Sequence, residues 1–205
     1  MKKVLYILNI LIILFILQPA ASLLAQNQDD SSQNREYKIK AAFLYNFIKF
    51  VDWPREKTVA DDESIIIGII GKNPFGDAFE PIKNKKVKGS NTEIKYFQGF
   101  KKLKKIEEDN KSGYENTVKE LRNCYLLFIC YSEKDNLVDI LNLVKNHNVL
   151  TVGEIPGMLK VNGIINFLLE ENKVRFEINL NAARESKLVI RSQLLRLAKN
   201  VIEDK

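Results

Sequence analysis

The chain has 205 residues, 45% of them hydrophobic, with 32 Lys plus Arg against 26 Asp plus Glu and a formal net charge of +6. One histidine and two cysteines offer no ligand set for zinc or a redox metal. The mild basic excess concentrates in residues 83–105, without the interleaved aromatics that base stacking needs, so nucleic acid is not expected as a partner.

At the start, Lys2 and Lys3 precede an almost wholly apolar run, residues 4–17. Pro19, Ala20, Ala21, Ser22 and Leu23-Leu24-Ala25-Gln26 follow. Charge, apolar run and small residues in that order predict a secretory signal peptide, residues 1–25, cut near Ala25. The run is shorter than the ~20 residues of a bilayer span. Leu23 is a poor residue three positions before that cut. The mature protein is therefore expected outside the cytoplasm, as a polar flexible tether over residues 26–35 and one domain over residues 36–205.

The apolar pattern of residues 36–51 predicts a mostly buried helix, closed by Pro54. Lys40 falls inside its apolar arc and must snorkel or find an acid partner. Residues 64–70 are apolar on both faces and predict a central strand. Asn73 and Pro74 open a short helix to about residue 82. Residues 92–97 read as a strand, residues 100–122 as one or two helices with a loop near Gly113. A third strand spans 125–129. Ser132 caps a helix over 132–145 with Leu137, Ile140, Leu141 and Val144 as its core stripe, and a fourth strand spans 149–152. This alternation implies parallel pairing with right-handed crossovers. Residues 163–169 and 174–180 then form a hairpin around Glu170-Glu171-Asn172-Lys173. A short strand at 188–190 joins the same sheet. Ser192 caps a closing helix with Leu194, Leu197, Ala198, Val201 and Ile202 on one face. The fold class is α/β: a single domain with a mixed sheet of six to seven strands, parallel first and ending in an antiparallel hairpin, flanked by helices.

No catalytic constellation stands out, so the protein is expected not to be an enzyme and to need no cofactor. His147 ends a helix in a solvent-facing turn. Gly68, Gly71 and Gly76 match neither nucleotide-loop spacing, and Asp77 stands where a phosphate-binding lysine would. Glu107-Glu108 and Glu170-Glu171 are sequence neighbours that do not face one another. Cys124 and Cys130, six residues apart along a strand, would lie about 20 Å apart, so no disulfide is expected between them. Arg175, Glu177 and Asn179 alternate on the polar face of the second hairpin strand. That column is either a solvated sheet face or a recognition surface.

The run Lys40-Ala41-Ala42-Phe43-Leu44-Tyr45-Asn46-Phe47-Ile48-Lys49-Phe50-Val51-Asp52-Trp53-Pro54 resembles the opening signature of YfiR-like proteins. Leu150-Thr151-Val152-Gly153, Asn162-Gly163-Ile164-Ile165-Asn166-Phe167, Val174-Arg175-Phe176-Glu177-Ile178-Asn179-Leu180 and Ser192-Gln193-Leu194-Leu195-Arg196-Leu197-Ala198 continue the likeness in order. The resemblance implies a periplasmic α/β regulator without enzymatic activity. It implies as partners the periplasmic region of a membrane sensor or diguanylate cyclase, and an outer-membrane lipoprotein that relieves the restraint. A homodimer is compatible with it, and the output would be cyclic-di-GMP and biofilm formation. Family members often carry disulfides, whereas here Cys124 has no suitable second cysteine. Glu177 sits where the family pattern has a glutamate before the last helix, which makes it a candidate for regulation. A second reading is a periplasmic small-molecule binding protein, with its pocket at the carboxyl ends of the parallel strands near Gly71 and Gly153.

Overall fold

The structure, a computed structural model, describes residues 19–57, 64–83 and 85–203. The apolar run of the expected signal peptide lies outside them. The first helix, α1, runs Pro19–Phe50. It passes through residues 26–35, in place of the expected flexible tether: no glycine or proline occurs between Ala20 and Phe50 to stop it. Among the described residues no helix is long and apolar enough to cross a membrane.

Seven strands form the main sheet: β2 (Ile65–Ile70), β3 (Thr92–Phe97), β4 (Leu126–Ile129), β5 (Leu150–Gly153), β6 (Ile165–Glu170), β7 (Lys173–Asn179) and β9 (Asn200–Ile202). Their spatial order is β3-β2-β4-β5-β6-β7-β9. Strands β2 through β6 pair in parallel, β7 returns antiparallel to β6, and β9 lies parallel to β7. The β-branched, doubly apolar sequences of β2 and β4 suit such a sheet because both of its faces are covered. On one face lies α1. Its Ala41, Leu44, Phe47 and Ile48 are buried against Ile67, Phe128, Val152, Phe167, Phe176 and Ile178. Phe47 sits 5.6 Å from the Phe167 ring and 5.0 Å from that of Phe176, contacts that add to simple area burial. The other face carries α2 (Phe100–Asp109), α3 (Lys111–Asn123) and α4 (Leu137–Val144). Phe100, Leu103, Val118, Leu121, Ile140 and Val144 pack there on Leu127 and Ile129.

Several elements differ from the sequence expectation. The helix expected after Asn73 is a set of turns ending in a short 3-10 helix, Glu80–Ile82; Asn73 makes only a local bond, its Oδ1 accepting from the Phe75 amide at 2.9 Å. The break in residues 100–122 falls at Asn110, whose side chain caps α3 by accepting from the Gly113 amide. Ser132 caps no α-helix: Tyr131–Asn136 is a 3-10 helix, and α4 begins only at Leu137. The strand at 188–190 does not join the main sheet. Val189–Ile190, β8, instead pairs antiparallel with Val51–Asp52, β1, in a separate two-stranded sheet. A helix absent from the sequence reading, α5, spans Leu180–Glu185. The closing helix shrinks to one turn, α6 (Ser192–Leu195), and the chain then straightens into β9. The unpaired edge of β7 captures residues that have helical spacing, a tertiary override of local pattern.

Candidate functional site

The hairpin of β6 and β7 closes through Glu171-Asn172, both with left-handed φ (48° and 59°), the turn geometry that matches strand twist. The register sets Arg175 opposite Leu168 and places Glu177 between Asn166 and Asn200. Arg175 is exposed and Glu177 half-buried, and neither core includes a side chain from this face of the hairpin. Asn179 differs. It is buried, its Nδ2 donates to the Leu159 carbonyl, and its Oδ1 accepts from the Ala182 amide, which caps α5. The polar column is therefore two surface residues and one structural cap, not three equivalent positions. On the neighbouring strand, Asn166 is likewise structural, with Oδ1 accepting from the Ile155 amide.

A second polar cluster gathers at the carboxyl end of β5. Lys40 is only 4% exposed. Its ammonium pairs with Glu36, one turn back on α1, and with Glu154, directly after β5. It also lies 4.5 Å over the Tyr37 ring. Tyr37 donates its hydroxyl to Glu154 at 3.1 Å. Burial first, then the Glu154 charge, pushes the Tyr37 hydroxyl pKa above its usual value, so it stays a donor. The lysine inside the apolar arc thus finds its acid partners. Glu154 carries no sequence signal of its own beyond following Gly153.

A third cluster lies where β2, β3 and β4 end. Glu133 is 6% exposed. Its carboxylate accepts from the Phe100 amide at the start of α2 (3.0 Å), from Asn136 Nδ2 (3.2 Å) and from Ser132 Oγ (3.3 Å). A side chain at Gly71 or Gly99 would collide with it: a Cβ there would fall 2.8 Å and 2.4 Å from Glu133 atoms. At this strand–turn–helix edge the amide that opens α2 is already taken by the chain's own carboxylate. Gly68 has a packing role, with Cys124 Sγ 2.7 Å from its would-be Cβ. Beside Gly153 the Met158 thioether fills the space, its Sδ 2.5 Å from the would-be Cβ.

The remaining chemistry is dispersed. Cys124 and Cys130 are free thiols buried in different cores, both pushed up to about 12 by burial. His147 is exposed in the turn after α4, and its carbonyl accepts from Lys57 at 2.8 Å. Glu107 pairs with Lys104 and Glu170 with Lys199, so one glutamate of each acidic doublet sits in a surface ion pair. Among the described residues no three His, Cys, Asp or Glu side chains come together as a metal site would require.

No curated protein matches the chain. The solved structures it is similar to include the following two. One is a conserved domain protein from Vibrio cholerae, at 8% identity and a TM-score of 0.47, covering 67% of this chain and 55% of that one. The other is an ABC domain from Streptococcus pneumoniae solved with L-Trp, at 12% identity and a TM-score of 0.49, covering 67% of this chain and 56% of that one. The chain thus spans just over half the length of each. The YfiR/HmsC-like family model matches residues 37–199, from the buried tyrosine of α1 to the residue before β9, and the chain belongs to that family.

Proposed function

We propose that this protein is a periplasmic regulatory binding protein that restrains a membrane-bound signalling protein, a diguanylate cyclase, and so sets cyclic-di-GMP and biofilm formation. It acts by binding, without turnover. Membership in the YfiR/HmsC-like family carries this reading. The hairpin supports it: Arg175 and Glu177 occupy a sheet face outside both cores, on a rigid strand whose opposite face is anchored by Phe176 and Ile178. A contact surface built this way holds its shape before the partner arrives.

The test is a clean deletion, complemented with the parent or with Glu177→Lys. Deletion is expected to change cyclic-di-GMP, and the parent to restore it. Glu177→Lys is expected to leave stability within about 1 kcal/mol, as surface changes do, while losing capture of a membrane protein in pull-downs. Unchanged cyclic-di-GMP, with no membrane protein captured by the parent, would sink the proposal.

A further inference from the structure

An open cavity of about 550 Å3 lies at the carboxyl edge of β2, β3 and β4, apart from the hairpin surface. That volume falls within the ~300–1,000 Å3 of small-ligand sites. The strand order explains why it is there. From β2 the chain crosses to β3 over the α1 face, burying Phe75, Phe79 and Ile82 in the first core. From β3 it crosses back to β4, on the other side of β2, through α2 and α3 on the opposite face. The two connections separate at this edge and leave a crevice, as in other open sheets with parallel strands.

The walls are polar and charged. Lys72 follows β2, Lys101 and Lys102 lie in the first turn of α2, and all three border the cavity. Among the described residues none of these three makes an ion pair, whereas Lys83, Lys95 and Lys104 are matched with Glu80, Glu120 and Glu107. Two acids also border the cavity, Glu133 and Asp135. Glu133 is buried and spent on the Phe100 amide, Asn136 and Ser132. The rim facing solvent is therefore net cationic. Gln98, Ser132 and Asn136 add neutral hydrogen-bonding groups, and Tyr96, 52% exposed, offers a ring face.

We propose that this cavity binds a phosphate ester of a small polyol, free in solution or as the headgroup of an anionic lipid. The ammonium groups of Lys72, Lys101 and Lys102 meet the phosphate oxygens as point charges. Gln98 and Asn136 meet the hydroxyls, and the carbon skeleton lies on Tyr96. Nucleotides fit poorly, because Glu133 already occupies the start of α2 where a pyrophosphate would sit.

Such a site stands independently of the regulatory reading, since its test needs no partner protein. The purified protein is titrated with sn-glycerol 3-phosphate, with inorganic phosphate and with glycerol. It is also floated with phosphatidylglycerol and with phosphatidylcholine vesicles. Saturable binding is expected for glycerol phosphate or for phosphatidylglycerol vesicles, and none for glycerol or phosphatidylcholine. Which of the two positive arms responds identifies the source. The pair Lys101→Gln/Lys102→Gln is expected to weaken that binding at least tenfold. The pair Lys85→Gln/Lys86→Gln, which removes equal charge outside the cavity, should leave it within twofold. Absence of saturable binding in both arms, or equal loss in the two variant pairs, overturns the proposal.

Discussion

Helix α1 is held by ion pairs near both ends of its packed portion, in opposite surroundings. In the first turns of that portion, Lys40, Glu36 and Glu154 have side chains 5%, 21% and 10% exposed. Just past the helix end, Asp52 takes two bonds from the Arg191 guanidinium (2.8 and 2.7 Å) and one from Lys88 (3.0 Å), all in water. The donors and acceptors are of the same kinds, but the medium differs. Around Lys40, the ammonium and Glu154 have lost most of their hydration and stand only because their partners are complete, while Glu36 keeps part of its contact with water. Around Asp52, water and salt compete with each contact. The buried group sits among the aromatic rings of the first core, where it fixes α1 to the end of β5. The exposed group staples β1 to β8 at the margin. Counting the bridges would rank the two ends alike, whereas burial ranks them far apart.

Breaking the buried end should have the largest effect. Lys40→Met leaves the largely buried Glu154 and the half-buried Glu36 without their cation and is expected to cost about 3–5 kcal/mol, lowering Tm by about 10 °C. Adding Glu154→Gln should recover some of that loss, because it removes one stranded charge. If Lys40→Met proves no worse than Asp52→Asn in thermal unfolding, the contrast between the ends collapses. Asn179→Ala comes next. It removes the α5 cap and leaves the Leu159 carbonyl without its donor, a loss of about 1–2 kcal/mol measurable by denaturant titration. Glu177, two residues earlier on the same strand, should show almost no such loss. Asp52→Asn should cost less than Asn179→Ala, a fall in Tm of about 1–3 °C that shrinks as salt is added.

The same aspartate makes a pH signature. Hydrogen bonding from Arg191 holds its carboxyl at about 2 in the folded protein, against an ordinary 3.8. Its contribution is complete above pH 3.8, where both folded and unfolded forms are ionised. It fades as pH falls, since the unfolded chain takes up the proton first. Parent and Asp52→Asn melting curves should therefore converge between about pH 4 and pH 2.

Much of this arrangement is legible in the sequence, and the exceptions share a cause. Strands β2, β4 and β5 announce themselves as apolar runs too short for helices. The hairpin does so by alternation around a turn that needs left-handed residues. Lys40 stands out because a charge interrupts an apolar arc. Its partner Glu154 does not, since nothing local marks a glutamate 114 positions away as its counter-ion. Leu197, which reads as a member of a core stripe, is 60% exposed, because the helix it implies yields to a strand once β7 offers an open edge. Asn179 looks like Arg175 and Glu177 because alternation assigns faces but says nothing of where a strand ends. At that end the side chain turns to cap the next helix.

Strand β9 has a consequence for how copies of this chain meet one another. It covers β7 only along Glu177, Ile178 and Asn179, and the Lys199 amide donates to the Phe176 carbonyl just beyond. Residues 173–175 are left as a bare strip of sheet edge beside the exposed Leu169. An uncovered strip of this kind invites a strand from another molecule to add on, and charge is one of the ways proteins prevent it. Here the sentries are Lys173 and Arg175. The cation that faces outward from the hairpin therefore also sets charge against the addition of an identical strand at this edge.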